Sequence, residues 1–407
     1  MPRALRILFL GLNVPFPPTN GHQLRNWSLL KALAREGHAV VLVSFAEAPP
    51  ATEHVAALRA ICADVEVVPA PSNGHSRQAW ARLSALASPM PYGAWRLRSR
   101  AMQEAVARRL AGEAPDAVIC DDIYMVHNLP AGVGRPVLLN KHDITHVIVR
   151  RYLERQRNPL VRAYGSLEYR KLRRWELEAG RRLAGVLACS EHDRRILQAH
   201  CPGLRVAVAP NVIDTADYPP CPVGEDGRVV YVGAMDWYPN QDAVEFFLTD
   251  ILPRLRRRAA EVRFVVAGRN PSEAFRRGFR RLGDVDFTGS VPDIRREIAR
   301  AAVCVVPLRI GSGTRLKILE AGAMEKPVVS TTLGAEGLEF APGREIVLAD
   351  EPEPFAEEVA GLLRDPGRRR ALGAAARRRV EARYSLPVLQ AAVARALDEL
   401  LGPGALR

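Results

Sequence analysis

The sequence predicts an α/β fold made of two Rossmann-like domains, each built on a doubly wound parallel sheet. Short runs rich in valine, isoleucine and leucine, typical of strands buried on both faces, alternate with helical segments along the chain. With 407 residues, the chain is long enough for two domains with separate cores, at about one to two hundred residues each.

The clearest unit of this pattern extends from Val303 to Gly337. Val303–Pro307 is a buried-strand run, a Gly-Ser-Gly loop and an apolar-faced helix follow, and Pro327–Thr331 supplies the next strand. Thr314 has the side-chain chemistry to cap the helix start. Parallel strands joined by a helix need a right-handed crossover, so the loops after both strands leave the same edge of the sheet. Ligands of open α/β sheets bind at that edge.

The residues of this unit suit a nucleotide diphosphate. Gly311 and Gly313 let the backbone approach a ligand, and the N–H groups at the helix start point at an anion with the helix dipole behind them. Lys317 and Glu320 follow on the same helix face, so Lys317 can meet phosphate as a point charge and Glu320 can accept from ribose hydroxyls. The alternative is a Lys317–Glu320 surface pair beside a loop that merely turns.

These residues resemble the donor-binding half of GT-B glycosyltransferases, especially the retaining family-four (group 1) type. The usual signature of that family is two glutamates with seven residues between them. Glu320 matches the second, which binds the nucleotide ribose, whereas Ser312 stands in place of the first. A glycine-rich subset of the family writes this loop as GTRLKILEA, which is the sequence from Gly313 to Ala321. The resemblance implies donor contacts from Gly311, Ser312, Gly313, Thr314, Arg315, Lys317 and Glu320.

The excess positive charge of the chain lies in its first half. The formal net charge is +13, and residues 1–210 carry 29 lysines and arginines against 17 acidic residues. This asymmetry indicates an anionic partner for the first half, either a phosphate-bearing acceptor, a membrane surface or nucleic acid. The six cysteines have no regular spacing, which favours reduced thiols over a disulfide framework or a zinc site.

No targeting or membrane-spanning segment is predicted. The apolar start, Arg6–Val14, is short and lacks a small-residue cleavage site, so it is predicted as the first strand. No run reaches the roughly 18 apolar residues that a membrane span needs. We therefore expect a cytoplasmic protein that at most lies on the inner face of the membrane.

The first domain is predicted to alternate strands and helices. Its predicted strands are 6–12, 38–45, 64–70, 116–121, 136–140, 184–190 and 205–209. Its predicted helices are 21–36, ended by Gly37, then 96–111, a pair within 150–182 with Gly165 near the break, and one that opens on Ser190. The punctuated stretch 71–91 is predicted as a loop with a short helix.

The loop after the first strand carries the first acceptor-side residues. Asn20, Gly21 and Arg25 lie at the start of the following helix. The pattern resembles the family's first loop, where a glycine-bearing turn lies beside the acceptor. The resemblance therefore places Gly21 and Arg25 on the acceptor side, while a solvated helix position is the alternative for Arg25.

A second strand-end loop carries Lys141, His142 and Asp143. A histidine between a lysine and an aspartate at a strand end is a candidate for chemistry. The family has a histidine beside the reacting sugar at the end of this strand. We assign that catalytic role to His142, with Asp143 as a neighbour on the acceptor side rather than a base; His146 is the alternative.

The stretch from Arg150 to Arg182 is strongly basic. It holds eleven lysines and arginines against four glutamates, with tyrosines and a tryptophan between them. Such a stretch suits an anionic membrane surface or a polyanionic glycan, and a plainly solvated helix face is the equal alternative.

Pro210–Asp214 resembles the hinge of the family. We divide the chain into an acceptor-binding domain (1–210), a linker (211–227), a nucleotide-sugar-binding domain (228–384) and a last helix that crosses back to the first domain (385–407). The strands predicted for the second domain are 228–232, 261–267, 286–289, 303–307, 327–331 and 345–348, with helices over about 354–382 and up to 401.

Two further residues of the second domain are placed at the donor. Gly233 begins the loop after strand 228–232, and Arg269 lies in the loop after strand 261–267, where a surface arginine is the alternative. Many relatives carry an arginine and a lysine near the loop at Gly233 for the diphosphate. This sequence does not, which shifts that role to Arg309, Arg315 or Lys317.

We predict a glycosyltransferase whose two domains face each other across a cleft. By resemblance, it moves a sugar from a nucleotide-sugar donor to a glycan, lipid-linked or small-molecule acceptor, with retention and without a metal or cofactor. His142 and Lys317 are assigned as catalytic.

Three other functions are alternatives to this prediction. A nucleotide-sugar epimerase of the same fold is the first alternative. A nicotinamide dehydrogenase is disfavoured, because no strand is followed by an intact G-x-G-x-x-G with an acidic residue about 20 further on. A nucleic-acid or other anionic-polymer-binding protein is suggested by charge alone, and the basic half has no recognised nucleic-acid module.

Overall fold

The structure of the chain is a computed structural model that describes residues 3–71, 81–82, 84–222, 224–269, 272–279 and 285–402. It divides into two compact units. The first comprises Met1–Asn211 and Leu389–Arg407, and the second comprises Val212–Val388. Residues 72–80 and 83 of the loop predicted over 71–91 lie outside the described residues.

The first unit alternates strands and helices. Its strands are β1 (Arg6–Gly11), β2 (Ala39–Ala46), β3 (Asp64–Pro69), β4 (Ala117–Asp121), β5 (Val137–Asn140), β6 (Gly185–Ala188) and β7 (Val206–Val208). Its helices are α1 (Gly21–Arg35), α2 (Thr52–Arg59), α3 (Tyr92–Arg96), α4 (Arg100–Glu113), α5 (Thr145–Arg155), α6 (Pro159–Arg182) and α7 (Glu191–His200). A 3-10 turn, Ile123–Asn128, follows β4.

The described strands of the first unit form one parallel sheet of order β3-β2-β1-β4-β5-β6-β7. Alternate residues of a strand face opposite sides, and both sets are buried in β1, so the sheet is covered on both faces. Leu8 and Leu10 share a core cluster with Met102 and Val106 of α4. The strand order reverses between β1 and β4, which makes the loops after these strands the expected ligand edge.

The basic stretch folds as two helices, but Gly165 does not mark their break. The break lies between α5 and α6, where Asn158 accepts hydrogen bonds from the N–H groups of the first turn of α6 and Pro159 occupies its first position. Gly165 lies within α6 instead, where a Cβ would approach Leu153 of α5 to 2.5 Å. The glycine therefore permits close helix packing rather than ending a helix.

The second unit repeats the architecture. Its strands are β8 (Arg228–Val232), β9 (Arg263–Ala267), β10 (Val285–Gly289), β11 (Val303–Val306), β12 (Val328–Ser330) and β13 (Val347–Leu348). Its helices are α8 (Tyr238–Phe246), α9 (Leu252–Arg256), α10 (Glu273–Phe279), α11 (Ile294–Arg300), α12 (Leu316–Ala323), α13 (Pro352–Arg364) and α14 (Pro366–Arg383). The last helix, α15 (Leu386–Leu401), begins in the second unit, and its residues from Leu389 belong to the first.

The described strands of the second unit also form a parallel sheet, of order β10-β9-β8-β11-β12-β13. Its order reverses between β8 and β11, so the loops after these two strands flank the switch point. The predicted strands of both units are found with small shifts at their ends, and the predicted fold class of two parallel-sheet α/β domains is confirmed. No described helix combines the length and the apolar content that crossing a bilayer requires.

Candidate functional site

The loop after β11 is held by a buried arginine. Arg315 is 8% exposed, and its guanidinium donates to the carbonyl oxygens of Ser312 (2.8 Å), Gly313 and Leu333 (3.2 Å). A Cβ on Gly311 would lie 2.7 Å from Nη2 of Arg315, so a side chain there would displace the guanidinium from its present position. The side chain of Arg315, predicted at the donor, thus bonds to the backbone of its own loop and of the loop after β12.

The helix after this loop begins later than predicted. Its first residue is Leu316, and Arg315 occupies the N-cap without a side-chain cap bond, so Thr314 is not the cap. Gly313 has φ +73°, a conformation that side chains disfavour, and this turn delays entry into the helix. Ser312 and Thr314 remain partly exposed beside it.

Lys317 belongs to a polar network that reaches the switch point. Its Nζ donates to Tyr231 Oη (2.9 Å) and Asn240 Oδ1 (3.1 Å), and it lies 4.2 Å from the centre of the Tyr231 ring. Tyr231 lies in β8, and Asn240 lies in α8, the helix that follows it. Burial and the positive charge of Arg315 lower the pKa of Lys317 to about 7, against an opposing effect of Glu320. The amino group of Lys317 is therefore held at the switch point and exchanges its proton near neutral pH.

Glu320 has a different partner from Lys317. Its Oε1 accepts from Tyr218 Oη at 3.0 Å, and burial raises the pKa of Glu320 while that bond and Lys317 oppose the rise. The two side chains are partly buried one turn apart on α12. The surface-pair alternative is wrong, because each side chain bonds to a residue far away in the sequence.

The other predicted donor residues lie near this edge with partners of their own. Arg309 makes a two-pronged ion pair with Asp242 (2.8 and 3.1 Å) and stacks on the ring of Phe246. Arg269 is 41% exposed in its side chain and lies 3.5 Å from Asp236. Gly233 follows β8 and donates its N–H to Ala267 O. Arg309 is paired with a carboxylate and Arg315 with backbone carbonyls, whereas Lys317 bonds to two neutral side-chain oxygens, so Lys317 stays the predicted diphosphate contact.

A buried carboxylate organises the switch point of the first unit. Asp121, the last residue of β4, is 0% exposed and accepts from Asn26 Nδ2 (2.6 Å), Asn140 Nδ2 (3.0 Å) and the N–H of Leu12 (3.3 Å). Its Oδ1 also lies 2.6 Å from Nε2 of His142. Burial acts to raise the pKa of Asp121, but the imidazoles and these hydrogen bonds outweigh it and hold the pKa below its usual value.

His142 stacks on a second histidine. The rings of His22 and His142 are 3.6 Å apart and nearly parallel at 16°, and His22 Nε2 lies 3.5 Å from Asp121 Oδ2. Burial and the neighbouring His22 lower the pKa of His142 to about 3, so at neutral pH its ring is uncharged and donates Nε2–H to Asp121. This leaves Nδ1 of His142 as the basic nitrogen.

Among the described residues, the side chains of His22, Asp121 and His142 form a group whose ligand atoms lie close enough together to hold a metal ion. An imidazole lone pair lies in the plane of its ring, and metal–nitrogen distances are about 2 Å. One ion cannot lie near both planes when the rings are stacked face to face. The arrangement therefore suits hydrogen bonding better than metal ligation by both histidines.

Two more carboxyl groups lie beside this cluster. Asp143 accepts from Thr145 Oγ1, and burial together with the charge of Asp122 raises the pKa of Asp143 to about 6. A carboxyl group with that pKa can exchange protons near neutral pH, a capacity that the sequence did not reveal. Asp122 itself has φ +71° and ψ 148°, a strained conformation for a non-glycine residue of the kind that clusters at functional sites.

Arg25 is buried, so the solvated alternative for it is wrong. It is 3% exposed, and its guanidinium donates to Asn140 Oδ1 (3.0 Å), Ala209 O (2.8 Å) and Asn211 Oδ1 (3.0 Å). It thereby ties the ends of neighbouring strands together. Gly21 is exposed at the first position of α1, where its predicted acceptor role stays a prediction.

His146, the alternative to His142, is 1% exposed and bonds through Nδ1 to Glu176 and through Nε2 to His200 (3.2 Å). The structure thus places His142, not His146, at the sheet edge with Asp121. The polar residues of the two clusters that the sequence did not predict are His22, Asn26, Asp121, Asn140, Tyr218, Tyr231 and Asn240. The available signal was position alone, because these residues lie within strands or in the segments that follow them.

Two protein-family models match adjacent parts of the chain. The model described as Glycosyltransferase Family 4 matches residues 19–217, and the model described as Glycosyl transferases group 1 matches residues 226–365. Lipopolysaccharide core biosynthesis mannosyltransferase LpcC of Rhizobium leguminosarum bv. viciae is 26% identical over 298 residues, which span 67% of this chain and 82% of LpcC.

Solved structures share the fold over nearly the full length. HepE of Anabaena, solved in complex with UDP and glucose, has a TM-score of 0.68 at 15% identity and covers 97% of this chain and 99% of its own. Sucrose-phosphate synthase of Thermosynechococcus elongatus has a TM-score of 0.71 at 16% identity with the same coverage. At these identities the likeness establishes the fold.

Replacing the buried guanidinium tests its role as a brace. Arg25→Leu leaves several buried acceptors without a donor, so we expect the free energy of unfolding of the first unit to fall by about 3 kcal/mol. Urea denaturation followed by tryptophan fluorescence measures the change. Arg35→Leu, an exposed position in the same helix, should change it by less than about 0.5 kcal/mol. Equal effects of the two variants would contradict the brace.

Proposed function

The chain belongs to the GT-B glycosyltransferases, and we propose that it transfers a sugar from a nucleotide-sugar donor to a glycan or lipid-linked acceptor. The second unit binds the donor at the switch point between β8 and β11. The first unit supplies His142 and binds the acceptor. Transfer proceeds with retention and without a metal ion.

The observation that carries this proposal is the partly buried pair on α12. Lys317 Nζ lies at the switch point, and Glu320 lies one turn further along the helix. A diphosphate beside Lys317 gains a nearby cation in a poorly solvated place, where such a charge is worth more than in water. Glu320 then has a carboxylate oxygen for the ribose hydroxyls.

Two relatives are consistent with this ligand class. HepE was solved with UDP and glucose, and LpcC is described as a mannosyltransferase of lipopolysaccharide core biosynthesis. We propose a nucleoside diphosphate sugar as the donor for this chain on the same basis.

The first unit contributes a neutral imidazole and a buried carboxylate. Asp121 fixes the ring of His142 through Nε2, so Nδ1 of His142 is held ready to accept a hydrogen bond from a sugar hydroxyl. In retaining transfer, we propose that an oxygen of the leaving diphosphate takes the acceptor proton. The protein then positions the reactants and stabilises charge at Lys317.

The first test removes the proposed ribose contact. UDP, GDP and ADP are tested as ligands in a thermal-shift assay. A nucleotide that binds, present at 100 times its dissociation constant, should stabilise the protein by about 2.7 kcal/mol. One of them should shift the wild type with EDTA present, and Glu320→Ala should abolish that shift without unfolding the protein. Glu339→Ala, which removes an exposed carboxylate of the same unit, should keep it. A full response of Glu320→Ala would show that the ribose contact is misassigned.

The pKa of Lys317 gives the second test. A bound diphosphate favours the charged lysine, so binding takes up a proton above pH 7, where free Lys317 is mostly neutral. The affinity for UDP-glucose or GDP-mannose should be constant below about pH 6.5 and fall up to about tenfold per pH unit above pH 7. Nucleotide sugars are used because a terminal phosphate titrates near pH 6.

Calorimetry between pH 6 and 9 measures this dependence. Lys317→Met has no charge to gain, so its affinity should be weaker and independent of pH over that range. The same slope in Lys317→Met as in the wild type would mean that another group takes up the proton.

We also propose that α6 docks on an anionic membrane surface. Its first turns expose four large apolar side chains on one face, Leu160 (79%), Val161 (37%), Tyr164 (37%) and Leu167 (38%). Exposed arginines lie just before α6, at 155 and 157, and within it, at 162 and 170. Apolar residues at helical spacing beside cations suit the boundary between acyl chains and anionic headgroups, where a lipid-linked acceptor would be found.

Co-sedimentation with vesicles tests this surface. We expect binding to phosphatidylcholine vesicles that contain phosphatidylglycerol and none to phosphatidylcholine alone. The double variant Leu160→Ser, Leu167→Ser should weaken vesicle binding about tenfold or more, because two apolar side chains are no longer transferred from water into the membrane. Leu86→Ser, at 44% exposure outside α6, should not. Unchanged binding of the double variant would contradict docking through α6.

A further inference from the structure

One buried carboxylate of α6 contacts the segment that carries His142. Glu176 is 3% exposed, and four donors from the segment 141–146 converge on it. Lys141 Nζ and the N–H of Thr145 (3.3 Å) donate to Oε1, while Nδ1–H and the N–H of His146 (3.2 Å) donate to Oε2. The donors lie on both sides of His142 in the sequence.

These contacts fix both ends of a short loop. Lys141 follows β5, and Thr145 begins α5, so Glu176 links a strand end to the start of a helix. A carboxylate that accepts the first N–H groups of a helix also satisfies donors that would otherwise lack partners. Between these ends, the backbone of His142, Asp143 and Ile144 has little freedom left.

We call the contacts of Glu176 with the segment 141–146 the clamp. The charges of its members keep it closed. Burial opposes ionisation of Glu176, yet Lys141 and His146 outweigh it and keep the pKa of Glu176 low, and Glu176 in turn raises the pKa of Lys141. The other titratable groups that face the cluster are Asp143, Asp122 and His200. Separating a buried ion pair leaves an uncompensated charge, so the closed clamp is strongly preferred.

The helix that holds the carboxylate is itself anchored. Trp175, next to Glu176, donates Nε1–H to Ile123 O in the turn after β4 (3.2 Å). That turn follows Asp121, the partner of His142. Glu176, through its neighbour Trp175, and Asp121 are therefore both positioned by β4 and the turn after it.

We propose that Glu176 is the positioning residue of His142: it clamps the segment 141–146 from both sides and so holds the imidazole against Asp121. This rests on the role of His142 in the proposed function. Glu176 touches no reacting atom; it acts through the placement of the ring. Its loss should therefore lower kcat and leave the KM for the donor unchanged, since the proposed donor residues lie in the other unit.

A double-mutant cycle with His142 tests the proposal. The assay is release of UDP from UDP-glucose and of GDP from GDP-mannose without acceptor. Glu176→Gln should lower kcat about 10- to 100-fold, and KM should change less than about twofold. In the His142→Ala background, Glu176→Gln should lower kcat by less than about twofold more, because the ring that it positions is gone. Glu345→Gln, a buried ion-paired carboxylate in the second unit, is the matched control and should keep kcat.

A second variant pair leaves the lysine–glutamate pair intact. His146→Asn places an amide donor where Nδ1 was, whereas His146→Leu removes the donor. We expect the leucine variant to lose kcat and the asparagine variant to recover most of it. Amide hydrogen exchange measures opening of the clamp without an activity assay. Amides of 141–146 should exchange about tenfold faster in Glu176→Gln, whereas the exchange rates of β1 should not change.

The outcomes separate this proposal from the one on which it rests. If His142→Ala keeps kcat, the catalytic role of His142 is wrong. If His142→Ala loses kcat but Glu176→Gln does not, or if the two losses add in full, Glu176 does not act through His142. Unchanged exchange of 141–146 in Glu176→Gln overturns the clamp even where no turnover is detected.

Discussion

In both sheets, segments next to the switch point are tied together by a buried arginine whose guanidinium donates to the backbone. Arg25 binds the carbonyl of Ala209 and two asparagine side chains at the strand ends of the first unit, and Arg315 binds three carbonyls of the loops after β11 and β12 in the second. A buried cation must have its donors satisfied, so the loops around it can adopt few other arrangements. In the first unit Asn140 bonds to both Arg25 and Asp121, and in the second Arg315 directly precedes α12, which carries Lys317 and Glu320.

At each switch point, one candidate ligand-binding group is held by hydrogen bonds to buried side chains of its own unit. Lys317 is held by Tyr231 and Asn240, and His142 is held by Asp121. Both groups have a pKa lowered by burial, which keeps His142 neutral and leaves Lys317 responsive to an anion. Groups that are oriented before the ligand arrives need little reorganisation during reaction, which is the usual basis of electrostatic catalysis.

The sequence predicted what is encoded locally. Runs of β-branched residues gave the strands, and the helical spacing of Lys317 and Glu320 placed both on one face of α12. It did not predict contacts between distant segments: Tyr231 lies 86 residues from Lys317, and Asp121 lies 95 from Asn26. The burial of Arg25 was missed for the same reason, since its partners lie on strands that only the folded sheet brings together. Gly165 was misread because a glycine in a helix can serve packing as well as termination.

We propose that Lys317 and Glu320 of the second unit bind the diphosphate and the ribose of a nucleotide sugar, and a crystal structure with UDP or GDP bound is the decisive measurement. We expect phosphate oxygens within hydrogen-bond distance of Lys317 Nζ and ribose hydroxyls on the carboxylate of Glu320. A nucleotide bound elsewhere, with Lys317 still bonded only to Tyr231 and Asn240, would contradict it.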